Sequence, residues 1–356
     1  MDINDINRIV WWIPFKQLRD NVRKYLIDQN DIHSIIRNNT EIVNSVDNLY
    51  KIKDVFMIKY ILEGIKKEEN FDLLNKYKRL IYNLDEDSIN IINKIVSFMT
   101  FEKFDDNYFT PSEVYEILDL QKEHKSKIFK LNSKCFIYDN KYILNQNFFH
   151  FDNFYDKMGI DNIKDINVIK NKSIIDAGAF IGDTALILSE YTDDKVYSFE
   201  AFPLNFKSLV YNIKLNNKLN IIPVNMALGD ENKDIEFLTP KEARGDTSFV
   251  IEKDIYSGDR VNIKMTTLDS FVEKNDIKVG LIKADLEGFE QSFLRGALNT
   301  IKKQKPVLMI SIYHNHSDFF NIKTIIEDLN LGYKFRIKKS KDFYLVLETM
   351  LIAEVY

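Results

Sequence analysis

The segment IIDAGAFIGDT, residues 174–184, decides the fold class, because an apolar run passes directly into a glycine-containing turn and then a helical pattern. Gly178 permits a sharp turn and close approach of a ligand to the backbone. Gly182 does the same where the helix is expected to begin, and free N–H groups there can meet a carboxylate. Asp176 stands at the carboxyl end of the predicted strand, where open α/β sheets bind ligands. The same turn is also typical of a strand-to-helix connection without a ligand.

Strands alternate with helices from residue 173 to the end of the chain. The predicted strands cover residues 173–176, 195–200, 220–227, 281–286 and 306–313. The predicted helices cover residues 184–190, 205–216, 289–300 and 319–329. This alternation predicts right-handed βαβ units and a mostly parallel sheet. Residues 333–338 and 343–356 close the chain as an apparent hairpin, which requires one antiparallel strand in that sheet.

The first 125 residues have a different pattern. Helical periodicity is clear at residues 15–26 and 89–99, and Thr110-Pro111-Ser112-Glu113 has the form of a capping box. We therefore predict a helical N-terminal domain at 1–125 and an α/β domain at 126–356, with its core at 171–356. Residues 134–144 predict a short hairpin. The aromatic cluster at 148–155 is typical of core packing, and the alternative is a wall of a substrate pocket.

Composition excludes several classes of function. The net charge is −5, and acidic and basic residues are mixed, so no basic stripe suggests a nucleic-acid partner. The single cysteine excludes an intramolecular disulfide and fits a reducing compartment. No secretory leader and no run of 18 apolar residues is present, so we expect a cytoplasmic protein without a transmembrane segment.

Two further loops favour a nucleoside-containing cofactor. Glu200 ends the second predicted strand, 24 residues after Asp176, where a carboxylate can accept hydrogen bonds from ribose hydroxyls. The loop 225–230 follows the third strand and is expected to border an adenine pocket. The glycine spacing is not G-x-G-x-x-G, and no Gly-Lys-Ser/Thr follows, which argues against a dinucleotide and a nucleoside triphosphate.

The fourth predicted strand ends in a charged segment, and strand alternation puts Lys283, Asp285 and Glu287 on one face. Three charges at a strand end are costly unless they are solvated, paired or used. The alternatives are a structural lysine–carboxylate network and a catalytic site. The position of these three charged residues at the ligand-binding edge of the sheet favours the catalytic site.

These segments together resemble the FkbM family of methyltransferases. The resembling motifs are IIDAGAFIGDTALILS, VYSFEAFPLNF, MALGD, TTLDSF and LIKADLEGFEQSFLRGA, in that order, and the match covers roughly residues 145–356. The resemblance implies a Rossmann-like seven-stranded sheet with the last strand antiparallel. It also implies S-adenosylmethionine as the cofactor and methylation of hydroxyl oxygens on sugars and related metabolites. The family usually has Glu-Pro where this chain has Glu200-Ala201, so the loop after Glu200 departs from the pattern.

The resemblance and the loops around it give the candidate cofactor contacts. They are Asp176, Gly178, Phe180, Gly182, Asp183, Thr184, Glu200, Ala201, Asn225 and Ala227. We expect a small-molecule or glycan acceptor, no nucleic acid, and a base that assists the attacking hydroxyl.

The candidate catalytic residues are Asp285, His314, Glu287 and Lys283. Asp285 is favoured by its position, whereas His314 has the more suitable intrinsic pKa. Asp285 and Glu287 could supply two oxygens to Mg²⁺, but no further ligand stands at a suggestive spacing, so we expect no metal.

Two competing functions remain. One is a nucleotide-sugar or NAD-dependent enzyme on a similar sheet, which would need a pyrophosphate-binding fingerprint that the sequence lacks. The other is a protein that binds S-adenosylmethionine without turnover. The presence of Asp176, Glu200 and Asp285 argues against that second alternative.

Overall fold

A computed structural model describes residues 64, 70–100, 109–238 and 260–356. The helix predicted at residues 15–26 lies outside the described residues. The described α-helices are α1 (Asn70–Ile81), α2 (Glu86–Thr100), α3 (Pro111–Ser126), α4 (Phe151–Phe154), α5 (Asp183–Leu188), α6 (Pro203–Leu215), α7 (Leu268–Asn275), α8 (Glu290–Gly296), α9 (Leu298–Gln304) and α10 (His316–Glu327). Two short 3-10 helices, Lys157–Asn162 and Ile166–Val168, follow α4. No helix in these ranges is long and apolar enough to cross a membrane.

The strands form three sheets. They are β1 (Ile128–Lys130), β2 (Phe136–Tyr138), β3 (Tyr142–Leu144), β4 (Ser173–Ala177), β5 (Val196–Phe199), β6 (Ile221–Val224), β7 (Ala227–Leu228), β8 (Lys233–Leu238), β9 (Arg260–Thr266), β10 (Val279–Ala284), β11 (Val307–Ser311), β12 (Lys334–Lys338) and β13 (Met350–Glu354). The main sheet has seven strands in the order β12-β13-β11-β10-β4-β5-β6, and the two others have three strands each.

The main sheet confirms the predicted fold class. Its five central and edge strands β6, β5, β4, β10 and β11 are parallel neighbours, whereas β13 runs antiparallel to both β11 and β12. Every residue of β4, β10 and β11 is buried, as expected for strands covered on both faces. The strand order reverses between β4 and β10, and this reversal places the ligand crevice at their carboxyl ends.

The register aligns the predicted site residues. Asp176 in β4 stands opposite Lys283 in β10 and opposite Ser198 in β5. Because parallel strands end at the same edge, the loops after β4, β5 and β10 emerge side by side. The sheet therefore brings the glycine loop, Glu200 and Asp285 to one edge.

Three elements differ from the sequence prediction. The strand expected at 220–227 is divided, because β6 ends at Val224 and β7 joins β9 in a separate sheet. The helix expected at 289–300 is two helices. The first of them ends at Gly296, where a Cβ would lie 1.9 Å from the carbonyl oxygen of Gly229. The last strand begins at Met350 rather than at 343. In two of the three cases the chain bends where another segment packs closely, which local periodicity does not show.

The described helices before residue 126 pack against the sheet domain. α1 contacts α10, and α2 contacts β12. Leu80 and Ile92 belong to the same buried cluster as residues of β10 and β11, so these helices do not form a separate core. Ser88 accepts a 2.8 Å hydrogen bond from the backbone N–H of Ile337. The capping box before α3 is confirmed. The division of the chain at residue 125 stays a prediction.

The predicted hairpin is also confirmed, with Asp139 and Asn140 at positive φ in the turn between β2 and β3. The aromatic cluster that follows is mostly buried, and Phe149 stacks on Tyr138 with the ring centroids 5.6 Å apart. Phe148 makes an edge contact with Phe180 of the glycine loop at 5.2 Å. The cluster therefore belongs to the core and also supports the glycine loop.

Candidate active site

The loop between β4 and α5 is folded tightly against the end of β10. Gly178 and Gly182 have φ values of 83° and 90°, and Phe180 also has positive φ. A Cβ on Gly178 would lie only 1.9 Å from the carbonyl oxygen of Asp285. In addition, the backbone N–H of Asp285 donates to the carbonyl of Ala177 at 3.0 Å. The glycine loop and the segment carrying Asp285 therefore form one packed unit.

Asp176, Thr184 and Lys283 support this loop from inside the protein. The Thr184 hydroxyl donates to Asp176 Oδ2 at 2.9 Å, and Lys283 Nζ lies 3.5 Å from Asp176 Oδ1. Lys283 Nζ also donates to the carbonyl of Gly178 at 2.9 Å. Burial raises the pKa of Asp176 to about 6, opposed by Lys283 and Thr184. The three side chains bond to one another and to the loop.

Lys283 is held in its charged form. Burial lowers the pKa of its ammonium group, but the carboxylates of Asp176, Asp285 and Asp183 raise that pKa more strongly. An ammonium group whose pKa lies above its usual value does not accept a proton near neutral pH. The raised pKa of Lys283 therefore favours an orienting role for this residue over the role of a base.

Asp183 lies at the first position of α5 and is almost fully buried. Its Oδ2 accepts a 2.7 Å hydrogen bond from the Asn153 side chain, while its Oδ1 has no hydrogen-bond partner among the described residues. Burial raises the pKa of Asp183, against the attraction of His150 and Lys283. A buried carboxylate oxygen without a donor is costly, so this atom is suited to accept one from a ligand.

Glu200 follows β5 directly and is 6% exposed. Its Oε1 accepts a 2.7 Å hydrogen bond from the backbone N–H of Phe202. Burial raises the pKa of Glu200 to about 8, although the N–H groups of Phe202 and Phe180 oppose this shift. Asn225 donates from its side chain to the carbonyls of Glu200 and Ala201, at 2.8 and 3.2 Å. The loops after β5 and β6 are thus joined.

The remaining predicted cofactor residues lie in the same region. Ala201 and Ala227 pack together with Phe202 in a small buried cluster, although Ala227 belongs to the separate sheet of β7. The structure therefore brings the loops after β4, β5 and β6 into one neighbourhood. Thr184 differs from the other predicted cofactor contacts, because its hydroxyl donates to the carboxylate oxygens of Asp176. Its hydroxyl is therefore directed towards Asp176 and away from the surface of the loop.

The catalytic candidates meet at the ends of β10 and β11. His314 Nε2 lies 3.3 Å from Asp285 Oδ1 and 3.5 Å from Glu287 Oε2. On the other side of the ring, His314 Nδ1 lies 2.9 Å from Glu290 Oε1. The Tyr313 hydroxyl donates to Asp285 Oδ1 at 3.4 Å. One imidazole is therefore surrounded by three carboxyl groups.

These contacts separate the two proposed bases. Burial lowers the pKa of His314, but Glu290, Glu287 and Asp285 raise it well above its usual value. Burial raises the pKa of Asp285, but His314 and Lys283 reduce it below the usual range. His314 is therefore cationic near neutral pH and Asp285 anionic. The intrinsic pKa of histidine favours His314 as the base, but the carboxyl groups around the imidazole favour Asp285 in that role.

Sequence reasoning did not assign Glu290, which holds this cluster in place. It is fully buried at the start of α8, and its oxygens accept hydrogen bonds from the backbone N–H groups of Leu286 and Gly288, at 2.6 and 3.0 Å. Its position two residues after Gly288, in the first turn of a predicted helix, was the available signal.

The same cluster contains the described residues that could hold a metal. Asp285, Glu290 and His314 each offer a ligand atom, and these atoms lie within 4.8 Å of one another. However, Glu290 is occupied by two backbone donors and His314 by its ion pairs. That no metal takes part stays a prediction.

A cavity opens beside Asp285. Its lining includes Lys283 and Asp285, and further residues that sequence reasoning did not assign: Asp152, Asn153, Asp156, Met158, Lys338, Ser340, Glu348 and Met350. They come from α4, the segment after it, and the region from β12 to β13. Because these segments are far apart in the chain, only the folded structure reveals the cavity.

The chain is similar to a known protein family and to solved structures of other proteins. Residues 176–335 match the family model of the methyltransferase FkbM domain. The structure is similar to that of methyltransferase FkbM from Methylobacillus flagellatus KT, with a TM-score of 0.51 and 16% sequence identity. That match covers 79% of this chain and 58% of the other protein. Fibrillarin from Aeropyrum pernix matches with a TM-score of 0.34 and 12% identity, covering 56% of this chain and 73% of that one. No curated protein sequence matches the chain.

The chain thus spans less than two thirds of the Methylobacillus protein, and at this identity the likeness demonstrates the fold alone. The family model provides evidence beyond the fold, because its matched residues include the glycine loop, Glu200 and the segment from Lys283 to Glu290. Residues 176–335 of this chain therefore match the methyltransferase domain of the FkbM family.

Proposed function

We propose that this chain transfers a methyl group from S-adenosylmethionine to a hydroxyl oxygen of a sugar or a related polyhydroxylated metabolite. The observation that carries the proposal is the packing of the glycine loop against the backbone of Asp285. It puts a cofactor-type loop and an ionised carboxylate at adjacent strand ends. An enzyme of this kind must hold an acceptor oxygen close behind a methyl group, and adjacency supplies that arrangement.

The residues after β4 and β5 fit the proposed cofactor. When bound, S-adenosylmethionine supplies an electrophilic methyl group on a sulfonium. Glu200 offers a buried carboxyl group to the hydroxyls of a ribose, and hydrogen bonds donated to it stabilise its ionised form. Asp183 Oδ1 offers an acceptor to an amino group. Gly178 and Gly182 leave the loop backbone accessible.

Asp285 is the proposed catalytic residue. Its carboxylate would accept the hydrogen bond of the attacking hydroxyl, orient its lone pair and take the proton as the new O–C bond forms. A carboxylate with a lowered pKa is a weak base. Its principal contribution is therefore orientation, and proton acceptance comes late in the step.

His314 and Glu290 would act through Asp285. The imidazolium lies against Asp285 on one side and against Glu290 on the other, and Glu290 is fixed by two backbone N–H groups. This arrangement limits the rotation of the Asp285 carboxylate. We propose that both are positioning residues, and that Glu287 contributes to the same network.

A binding protein without turnover is the alternative from another functional class. Calorimetry with S-adenosylmethionine and its demethylated product, followed by a screen of hydroxylated acceptors for mass gain, separates the two. Binding together with mass gain of one methyl group supports the enzyme. Binding without transfer to any acceptor supports the alternative, and absence of binding contradicts both. The cytoplasmic location and the absence of a nucleic-acid partner stay predictions from composition.

A further inference from the structure

The cavity beside Asp285 is the place where an acceptor would meet the proposed catalytic carboxylate. Six polar residues other than Lys283 and Asp285 line it: Asp152, Asn153, Asp156, Lys338, Ser340 and Glu348. Four of the eight polar lining residues are carboxylic acids and two are lysines. The chemistry of the acceptor therefore depends on which of these charges are already neutralised.

Both lysines on the cavity wall have partners. Lys338 Nζ lies 3.5 Å from Asp156 Oδ1, and Asp156 Oδ2 also accepts a 2.9 Å hydrogen bond from Ser340. Lys283 lies 3.5 Å from Asp176 and donates to the carbonyl of Gly178. Neither ammonium group is therefore available to neutralise an anionic ligand without breaking an existing ion pair.

The remaining wall carries a carboxyl pair. Glu348 is hydrogen-bonded to Asp152, and burial together with the charges of Asp152 and Asp285 raises the pKa of Glu348 well above its usual value. The raised pKa favours the protonated form of the Glu348 carboxyl. A protonated carboxyl donates one hydrogen bond and a carboxylate accepts several, so the pair can both donate to and accept from hydroxyl groups.

We propose that Asp152 and Glu348 form the acceptor subsite and select an uncharged or amino-bearing polyol over one with a carboxylate or phosphate near the methylated hydroxyl. This inference rests on the proposed function, since it assumes that the acceptor occupies the cavity next to Asp285. An anionic group there would face the carboxylates of Asp152 and Asp285 without an unpaired cation among the described lining residues. Juxtaposed like charges are a strong means of rejecting a ligand.

The test uses the full chain saturated with S-adenosylhomocysteine. Three methyl glycosides of the same ring configuration are titrated by calorimetry: a neutral hexoside, its 2-amino analogue and its uronic acid. The neutral and amino glycosides are expected to bind, and the uronic acid to bind at least about tenfold more weakly. Equal or tighter binding of the uronic acid would overturn the proposal. So would failure of all three to bind, because the cavity would then not accept a polyol.

Two variants assign the selectivity within the carboxyl pair. Asp152→Asn keeps the shape and removes a charge, so it is expected to reduce discrimination against the uronic acid by about tenfold. Glu348→Gln replaces a protonated carboxyl by a neutral amide, so it is expected to leave that discrimination nearly unchanged. Glu273→Gln is the matched control, because Glu273 is exposed on α7 and outside the cavity. Thermal melting verifies that each variant is folded. Unchanged discrimination in folded Asp152→Asn would overturn the assignment.

The failure of this inference is distinguishable from that of the proposed function. If the unmodified chain does not bind S-adenosylhomocysteine, the proposed function fails. If it binds S-adenosylhomocysteine and also prefers the uronic acid, only the acceptor assignment fails.

Discussion

The two halves of the candidate site are built differently. On the side of β4 and β5, the glycine loop packs against backbone, and Asp183 and Glu200 are buried carboxyl groups within short loops. On the side of β10 and β11, Asp285 lies among charged partners and borders a polar cavity. The first half is suited to a ligand of fixed shape, and the second to positioning a polar acceptor. Cofactor binding and catalysis should therefore respond separately to mutation.

The largest effect is expected from Asp285→Asn. Loss of the carboxylate should reduce turnover about 10²–10⁴-fold, the usual contribution of a positioned acid or base. Affinity for the cofactor should be nearly unchanged, because the side chain belongs to the acceptor half. Steady-state rates on an identified acceptor, with calorimetry of the same sample, measure both quantities. Full turnover in this variant would show that the charged cluster is only a structural network. A larger loss of turnover in His314→Ala would identify His314 as the base.

Gly178→Ala tests how tightly the two halves are joined. The added Cβ would clash with the Asp285 carbonyl at 1.9 Å, and φ is 83°. We expect a loss of about 2–3 kcal/mol in stability or cofactor binding. Gly332→Ala is the matched control, because its φ is 86° but nothing lies within 4 Å of the added Cβ. It should lose only about 1 kcal/mol from backbone strain. Equal losses in the two variants, by thermal melting and calorimetry, would contradict the close packing.

The pH dependence of cofactor affinity tests whether Glu200 binds the cofactor. Its pKa is raised to about 8 in the folded chain, and the proposed ribose hydroxyls donate to its ionised form. Affinity should therefore rise with pH, by about tenfold from pH 7 to pH 9. Glu200→Gln should remove this dependence and leave only that of the ligand and other groups. An identical pH profile in both proteins, measured by calorimetry, would exclude Glu200 from the site.

The raised pKa of Glu200 has the opposite effect on the stability of the unliganded protein. Because the folded pKa lies above the ordinary value of 4.5, Glu200 contributes stability that is fully present below that pH. This contribution is lost as the pH rises through about 8. The unliganded protein should thus weaken over the range in which cofactor binding strengthens.

The smallest effect is expected from a chelator. The carboxylates near His314 are already engaged by backbone N–H groups and by the imidazole. We therefore expect turnover to remain the same after dialysis against EDTA. A loss of activity restored by Mg²⁺ or Mn²⁺ would instead make Asp285, Glu290 and His314 a metal site.

The sequence predicted the parts of the site that depend on local chain order. The strand ending at Asp176, the glycine turn and the acidic residue at 200 are each recognisable from a few neighbouring residues, and the structure brings them together. The cavity could not be predicted in this way. Asp152 and Glu348 meet only because α4 and the segment before β13 pack at the same edge of the sheet. The pKa of His314 also depends on Glu290, which reaches it through space from another element.

Calorimetric titration of the full chain with S-adenosylhomocysteine tests cofactor binding, on which the proposed function depends. We expect one saturable site per chain. Affinity should fall by about 1.5–3 kcal/mol in Glu200→Ala, the scale for hydrogen bonds to a charged group, and should be nearly unchanged in Asp285→Asn. Absence of binding in the unmodified chain, or equal affinity in Glu200→Ala, would contradict this expectation.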